Sequence, residues 1–352
     1  MFGSRIELVN KQRRKFFMVK AVQYHSFGNT EVLEMKEIPR EVLEENQVRV
    51  KVSAVGLNPV DYKIFKGTKQ LRMLSFVMKL RKPSLWFQSK ESLFPRGVGR
   101  DFSGVITEVG AGVTNFSVGE EVFGTIISAP GLGTKKGSLA TEITVPVSDI
   151  ERKPATIDFH KAATMGVAAL TVGGAFRRID LKAEDVLVIS GASGGIGSIA
   201  VQYAVALGAT VIGIASEKNA EYLKSLGAIP VAYGEGVKER IAQAVEKPIT
   251  KFLDCFGGEY VKIAFRLGLK GNAIGTLVPS PPAIIKGAQF TGPRHSEYAD
   301  FEKLASFVAS GKVKLYIDQE YPFTIEAVRE AYQSLEAGHT RGKKVVVIDE
   351  AE

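Results

Sequence analysis

The stretch Val186-Leu-Val-Ile-Ser190-Gly-Ala192-Ser-Gly194-Gly195-Ile196-Gly197 decides the architecture. Residues 186–190 read as a buried apolar strand, and 196–207 continue as a helix. The turn between them carries almost no side-chain bulk. Backbone N–H groups can therefore approach a pyrophosphate, and the partial positive charge of the helix N-terminus favours that anion. Gly194 and Gly197 fit the second and third glycines of the dinucleotide fingerprint, with Ala192 in place of the first and Gly195 and Ile196 between them. A glycine-rich turn alone also fits an ordinary strand–helix connection. The context separates the two readings, because this turn lies inside a βαβ unit with a second strand, 210–215, at the expected distance.

Working outward, strand and helix alternate. Residues 160–179 are rich in alanine and read as one long buried helix. Residues 219–226 and 237–245 read as helices, and 230–233 and 252–255 as strands. That alternation is the pattern of a doubly wound parallel sheet, an α/β fold. Upstream, 19–24, 47–55, 102–109, 113–118, 121–127 and 140–145 read as short strands punctuated by glycine, which suggests a small β-barrel. Within 47–55, Val48, Val50 and Val52 alternate with polar residues, the period of a half-buried strand. Helices at 297–309 and 325–335 and a strand at 344–348 close the chain. The expected organisation is a basic extension at 1–17, a barrel domain from 18–152 and 293–352, and a dinucleotide-binding domain at 153–292.

The end of the second strand selects the cofactor. An acidic residue there suits the ribose hydroxyls of NAD, whereas a 2′-phosphate calls for cations and hydroxyl donors. The sequence is Ser216-Glu217-Lys218-Asn219. Ser216 and Lys218 suit the phosphate of NADPH; Glu217 opposes it unless it is an exposed first-turn glutamate, which the helix dipole favours.

The 352 residues suffice for two domains, and 45% apolar with 24% charged residues is ordinary for a globular protein. No run is long and apolar enough to span a bilayer, and residues 1–17 lack the apolar stretch of a signal peptide. The single cysteine, Cys255, fits a reducing compartment, so the cytoplasm is the expected address. The net charge of +8 is unevenly spread. Residues 1–17 contribute +4 and residues 68–93 contribute +5, leaving the rest at −1. A neutral body argues against nucleic acid as a partner. Arg13-Arg14 is encodable as a ribosome-binding sequence, so translation is expected to start at Met18; the competing reading of 1–17 is a genuine basic arm.

Several motifs now meet in order: Gly56-Leu-Asn58-Pro59-Val-Asp61, Gly99-Arg100-Asp101-Phe-Ser-Gly104, the glycine turn, Leu253-Asp254-Cys-Phe-Gly257-Gly258 and Gly342-Lys343-Lys-Val-Val. Together they resemble the medium-chain dehydrogenase/reductase superfamily, and within it the zinc-free quinone oxidoreductase branch that includes zeta-crystallin. The resemblance runs from Met18 to about Asp349. It implies a Rossmann domain inserted into a GroES-like catalytic domain, an active site in the cleft between them, and a homodimer formed by sheet-edge pairing. It also implies that Tyr233 lies against the adenosine phosphate and that Lys343 belongs to the cofactor site.

Zinc-using relatives place ligands where this chain has Asn58, Arg100 and Val167. Arginine and valine cannot ligate zinc, and asparagine is a poor ligand for it. His25, His160, His295 and His339 show no paired ligand spacing. Without a Lewis acid, reduction of an already electrophilic alkene or quinone is easier than oxidation of a simple alcohol, because the resulting anion is resonance-stabilised. The expected reaction is NADPH-dependent, metal-free hydride transfer to a quinone or an α,β-unsaturated carbonyl. Asn58 is the candidate contact to the nicotinamide ribose or the substrate, and Tyr62 the candidate proton or hydrogen-bond donor. Each also has a plain reading, Asn58-Pro59 as a turn and Tyr62 as a packed ring. Many relatives carry a tyrosine where Lys69 stands, which leaves water as an alternative donor. Residues 68–93 form an insertion in which Trp86 and Phe87 are candidate caps over a small hydrophobic acceptor; contact with an anionic membrane surface, or a helix that only packs on the barrel with its lysines solvated, fits the same residues. Two other functions fit the same fold: an enoyl-thioester reductase, and a non-enzymatic nucleotide- or RNA-binding protein.

Overall fold

The computed structural model describes residues 18–67, 94–127, 135–278, 280–338 and 340–348. The extension 1–17 and the insertion 68–93, with Lys69, Trp86 and Phe87, lie outside the described residues, as does His339. The chain forms two compact units, one of residues up to Lys153 with Glu320–Gly338 and the stretch from Lys344, the other of Pro154–Gln319 with the residues leading to Lys343.

In chain order the first unit supplies strands β1 (Met18–Tyr24), β2 (Leu33–Pro39), β3 (Gln47–Gly56), β4 (Arg96–Gly97), β5 (Asp101–Val109), β6 (Glu121–Thr125), β7 (Glu142–Pro146) and β8 (Ile150–Arg152). The second supplies β9 (Val186–Ser190), β10 (Thr210–Ala215), β11 (Ile229–Ala232), β12 (Lys251–Asp254), β13 (Ile274–Thr276) and β14 (Gln289–Phe290), after which come β15 (Ile317–Pro322) and β16 (Lys343–Val347).

In the first unit the long, alternating β3 is the hub. It pairs antiparallel with β5, β7 and β16, and the sheet continues from β5 through β6 to β8. Val48, Val50, Phe102, Ile106 and Val122 are fully buried in its core, each worth roughly 1.5–3 kcal/mol of transfer from water. Residues 113–118, expected as a strand, are not one. Gly110 is pressed against the backbone before β3, where an added Cβ would lie 2.2 Å from Glu44 O, and Val113 N closes a turn onto Gly110 O. Burial there does not alternate, with Phe116 inside and Val118 61% exposed.

The second unit is a six-stranded parallel sheet in the order β11-β10-β9-β12-β13-β14, the doubly wound arrangement of a Rossmann fold. The helix expected over 160–179 is two, Phe159–Ala162 and Gly166–Arg178. The Thr164 hydroxyl donates to Lys161 O where the first one ends.

Residues 293–319, expected with the barrel, belong to this second unit. The helix Ala299–Ala309 packs so tightly on Gly166–Arg178 that a Cβ on Gly173 would come within 2.3 Å of the Asp300 carboxyl. Arg177 clasps that buried carboxylate with two hydrogen bonds, 2.8 and 3.2 Å. Tyr203, on the helix Gly195–Ala206, stacks edge-on against Phe176 and Phe307 with ring centroids 5.7 and 4.9 Å away. Three helices thus share one aromatic contact.

Burial, aided by the charge of Asp300, pushes the Tyr203 phenol up to about 12. A phenol ionises near about 10 in an unfolded chain, so this one favours the folded state below that pH. Its contribution is lost as the pH rises from about 10 through about 12. Urea unfolding should therefore show stability falling over that window, by up to ~2–3 kcal/mol from this group. Tyr203→Phe should make the fall shallower; an unchanged slope would count against the assignment.

Candidate functional site

The second unit builds the nucleotide turn from its glycines. β9 ends at Ser190, and Gly191 reverses the chain at φ 63°. Gly194 N donates to Gly191 O at 3.1 Å, and the helix Gly195–Ala206 starts at once. A Cβ on Gly197 would lie 2.1 Å from Gly191 O and 2.8 Å from Ala192 Cα, so only glycine lets the helix come this close to the strand end. Ala192 is fully buried and faces Gly213 on β10, where an added Cβ would stand 3.1 Å from the alanine methyl. A Cβ on Gly195 would meet Lys343 Cγ at 2.9 Å, and Gly342 N donates to Ser193 O at 3.2 Å. The buried Lys343 thus runs beside the turn although it is distant in sequence. First-turn N–H groups have no partner inside their own helix, so they and the bare glycines make a cradle that fits a dinucleotide pyrophosphate.

Around this turn lie further groups, of which sequence reasoning missed Asn219. Asn219 Nδ2 donates to both Ser193 Oγ and Ser216 Oγ at 3.1 Å, tying the phosphate turn to the corner after β10. Glu217 and Lys218 are exposed, and neither side chain makes a hydrogen bond or ion pair among the described residues. Tyr233 is 54% exposed, and Arg240 holds the loop that carries it by donating to Ala232 O and Tyr233 O. Asp254 is fully buried at the ends of three adjacent strands. It accepts from Ser190 Oγ at 2.6 Å, Thr276 Oγ1 at 2.9 Å and Gly257 N at 2.8 Å, and so locks the carboxyl edge of the sheet where such folds bind ligands. No spacing rule pointed to Asn219; the Asp254-Cys-Phe-Gly-Gly motif did mark the other.

The first unit holds a buried polar cluster. Asn58 caps the helix Pro59–Phe65, its N–H donating to Asp61 Oδ2 at 2.9 Å. Its Nδ2 donates to Gly56 O at 3.2 Å and to Asp101 Oδ2 at 3.0 Å, where β5 begins. Asn58, Asp61 and Asp101 are all buried. Tyr332 Oη donates to Asp61 at 3.4 Å, and Arg100 Nε stands 3.9 Å from Asp61 Oδ1. Burial, with the charge of Asp61, pushes the Tyr332 phenol well up, so it is a neutral donor. Tyr62 is half-buried against the barrel core, and burial raises its phenol as well. The structure therefore joins Asn58 to Arg100 through Asp61, and commits the Asn58 amide nitrogen to protein partners. Val167 lies in the first turn of Gly166–Arg178. Among the described residues no group of three or more His, Cys, Asp or Glu side chains is arranged to hold a metal.

Residues 44–155 match the alcohol dehydrogenase GroES-like domain and residues 195–310 the zinc-binding dehydrogenase domain. The chain is 31% identical over 338 residues to the NADPH-dependent alkenal/one oxidoreductase of Arabidopsis thaliana chloroplasts, covering 93% of this chain and 79% of that one. It is 30% identical to the 2-methylene-furan-3-one reductase of Solanum lycopersicum, with 93% and 79% covered. The solved quinone oxidoreductase of Coxiella burnetii superposes with a TM-score of 0.76 at 28% identity, covering 94% of this chain and all of the other. The chain belongs to the medium-chain dehydrogenase/reductase superfamily, as a nicotinamide-dependent oxidoreductase with alkenal, enone and quinone reductases among its relatives.

The two glycines of the turn separate by experiment. Gly197→Ala forces backbone apart and should cost about 1–3 kcal/mol in urea unfolding, with weaker binding of a nicotinamide dinucleotide. Gly194→Ala, whose Cβ meets nothing nearer than 3.3 Å, should cost less. Equal losses would contradict the account of the turn.

Proposed function

We propose that this chain is an NADPH-dependent reductase of quinones or α,β-unsaturated carbonyl compounds that works without metal. The observation that carries the reading is the pair of sites just described. One is a dinucleotide cradle with Ser216, Asn219 and the unpaired Lys218 at the corner where a 2′-phosphate is selected. The other has an amide and a guanidinium, Asn58 and Arg100, at the places where zinc-using relatives carry ligands. Those groups polarise and orient a carbonyl; they do not bind zinc. The names of the relatives point the same way.

In this reading NADPH, when bound, supplies the hydride. Gly195, Ile196 and Gly197 present N–H groups to its pyrophosphate, with Gly194 closing the turn onto Gly191 O, Ala192 setting the helix-to-strand spacing and Lys343 flanking the turn. Ser216, Lys218 and Tyr233 serve the adenosine end. Asn58 and Tyr62 order the acceptor side, with Tyr62 kept as a neutral donor by its burial. The acceptor is small and hydrophobic. No helix among the described residues is long and apolar enough to cross a membrane. The single cysteine supports a cytoplasmic address, and the barrel's balanced charge supports no nucleic-acid partner. A homodimer through β14 is part of the proposal, since β14 is one edge of the sheet, Ile285 just before it is 85% exposed and Phe290 on it is 37% exposed.

Following NADPH oxidation against quinones, alkenals, enones and enoyl thioesters tests the reaction class. Turnover of enones or quinones supports it, and turnover of thioesters alone would transfer the assignment to that chemistry. Cofactor choice has its own test. Lys218→Ala should raise the KM for NADPH about tenfold, the modest value proper to an exposed charge, and leave that for NADH nearly unchanged. Equal effects on both cofactors would contradict a role for Lys218 in holding the 2′-phosphate.

A further inference from the structure

We propose that Arg100 binds the carbonyl oxygen of the acceptor and stabilises the oxyanion that develops there, taking the place of the metal in zinc-using relatives. The inference rests on the reductase reading and names the group that would carry its charge stabilisation.

The backbone of Arg100 is pinned, its carbonyl accepting from Ile126 N at 3.0 Å just before β5 begins. Its side chain is mostly covered, at 16% exposed. A guanidinium carries five N–H donors, and buried polar groups are normally paired. Among the described residues this one makes a single long ion pair, 3.9 Å from Nε to Asp61 Oδ1, which is beyond hydrogen-bond length. Its terminal nitrogens donate to nothing described. Asp61, meanwhile, is engaged elsewhere: Oδ2 accepts from Asn58 N and from Tyr332. Asp101 accepts from Asn58 Nδ2. The carboxylates therefore orient Arg100 by charge without saturating it. A planar donor fork, held in place but with its terminal donors unsatisfied, is what a developing oxygen anion requires.

The chemistry balances with the proposed reaction. Addition of a hydride to the β-carbon of an enone breaks the carbon–carbon π bond, whose pair forms a new double bond from the α-carbon to the carbonyl carbon, and the carbonyl π pair moves onto oxygen. The enolate collapses as the α-carbon takes a proton from water. For a quinone, hydride delivered to one carbonyl oxygen gives the hydroquinone monoanion, whose charge rests on the other oxygen until that oxygen takes a proton from water. In both cases the negative charge passes through one oxygen, and Arg100 is the cation the cluster offers to it.

The test uses the full chain with NADP+ and 4-nitrophenol, whose phenolate and phenol differ in visible absorption and whose anion resembles an enolate. The wild type should bind the dye as phenolate, with its apparent pKa lowered by about one unit. Arg100→Gln should abolish that lowering and reduce kcat/KM for an enone by about 10²–10³-fold, while NADPH affinity measured by fluorescence stays the same. Arg100→Lys, which keeps the charge and loses the fork, should recover part of both. No dye binding to the wild type, binding as the neutral phenol, or phenolate binding that survives Arg100→Gln would each overturn the proposal. A lower melting temperature in Arg100→Gln with unaltered dye ionisation would mark Arg100 as a mere counter-ion of Asp61 and Asp101, and so also overturn it. If that variant does not fold, the wild-type titration decides. Dye ionisation that depends on Arg100 in a protein that oxidises NADPH with no acceptor would support the anion site and sink the reductase reading instead.

Discussion

Gly197 sits where its helix crosses the end of β9 with 2.1 Å between an imagined Cβ and the carbonyl oxygen of Gly191. That closeness governs the second unit. It brings the helix N-terminus to the carboxyl edge of the sheet, where its unpaired N–H groups and its dipole act on an anion together. The same approach leaves room beside Gly195 for Lys343, and it lets Asn219 reach Ser193 from the neighbouring corner. Asp254 then fixes the strand ends against one another with bonds from β9 and β13. Relaxing the first contact by one methyl group would disturb each of these in turn.

The first unit solves a different electrostatic problem. It buries two carboxylates, Asp61 and Asp101, which costs free energy unless each finds donors. Asn58 supplies them with one amide and one backbone N–H, and Tyr332 adds a hydroxyl. A side chain read from sequence as a contact to cofactor or substrate is therefore also the bracket that holds the start of a helix to the start of a strand. The two roles are compatible, because a group locked by its neighbours orients a ligand at lower entropic cost.

The sequence made the fold class legible because the glycine turn, the flanking strand and helix, and the second strand agree with one another. Much of the strand pattern in the barrel followed from simple alternation, as in Val48, Val50 and Val52. Where alternation misled, a tertiary contact was responsible: residues 113–118 are drawn into a turn by Gly110 packing on Glu44. The helix over 160–179 was read as one because alanine-rich, uniformly buried residues carry no periodic signal at the break. The domain boundary at 292 was set too early because Gly173 and Asp300, whose contact binds residues 293–319 to the second unit, are far apart in sequence. Of the candidate site, the turn glycines were legible from spacing. Asn219, Asp61 and Asp101 were not read as positioning groups, since a hydrogen bond between distant side chains leaves no periodic trace. Arg100 was read only for what it cannot do, which is bind zinc.

The central claim is that hydride reaches the alkene carbon of a conjugated acceptor. The direct measurement is turnover of a simple enone with NADPH deuterated at the transferable position of its nicotinamide C4, followed by NMR of the product. The account predicts the saturated ketone with a single deuterium on the β-carbon. Deuterium on the carbonyl carbon, in an allylic alcohol, would contradict it.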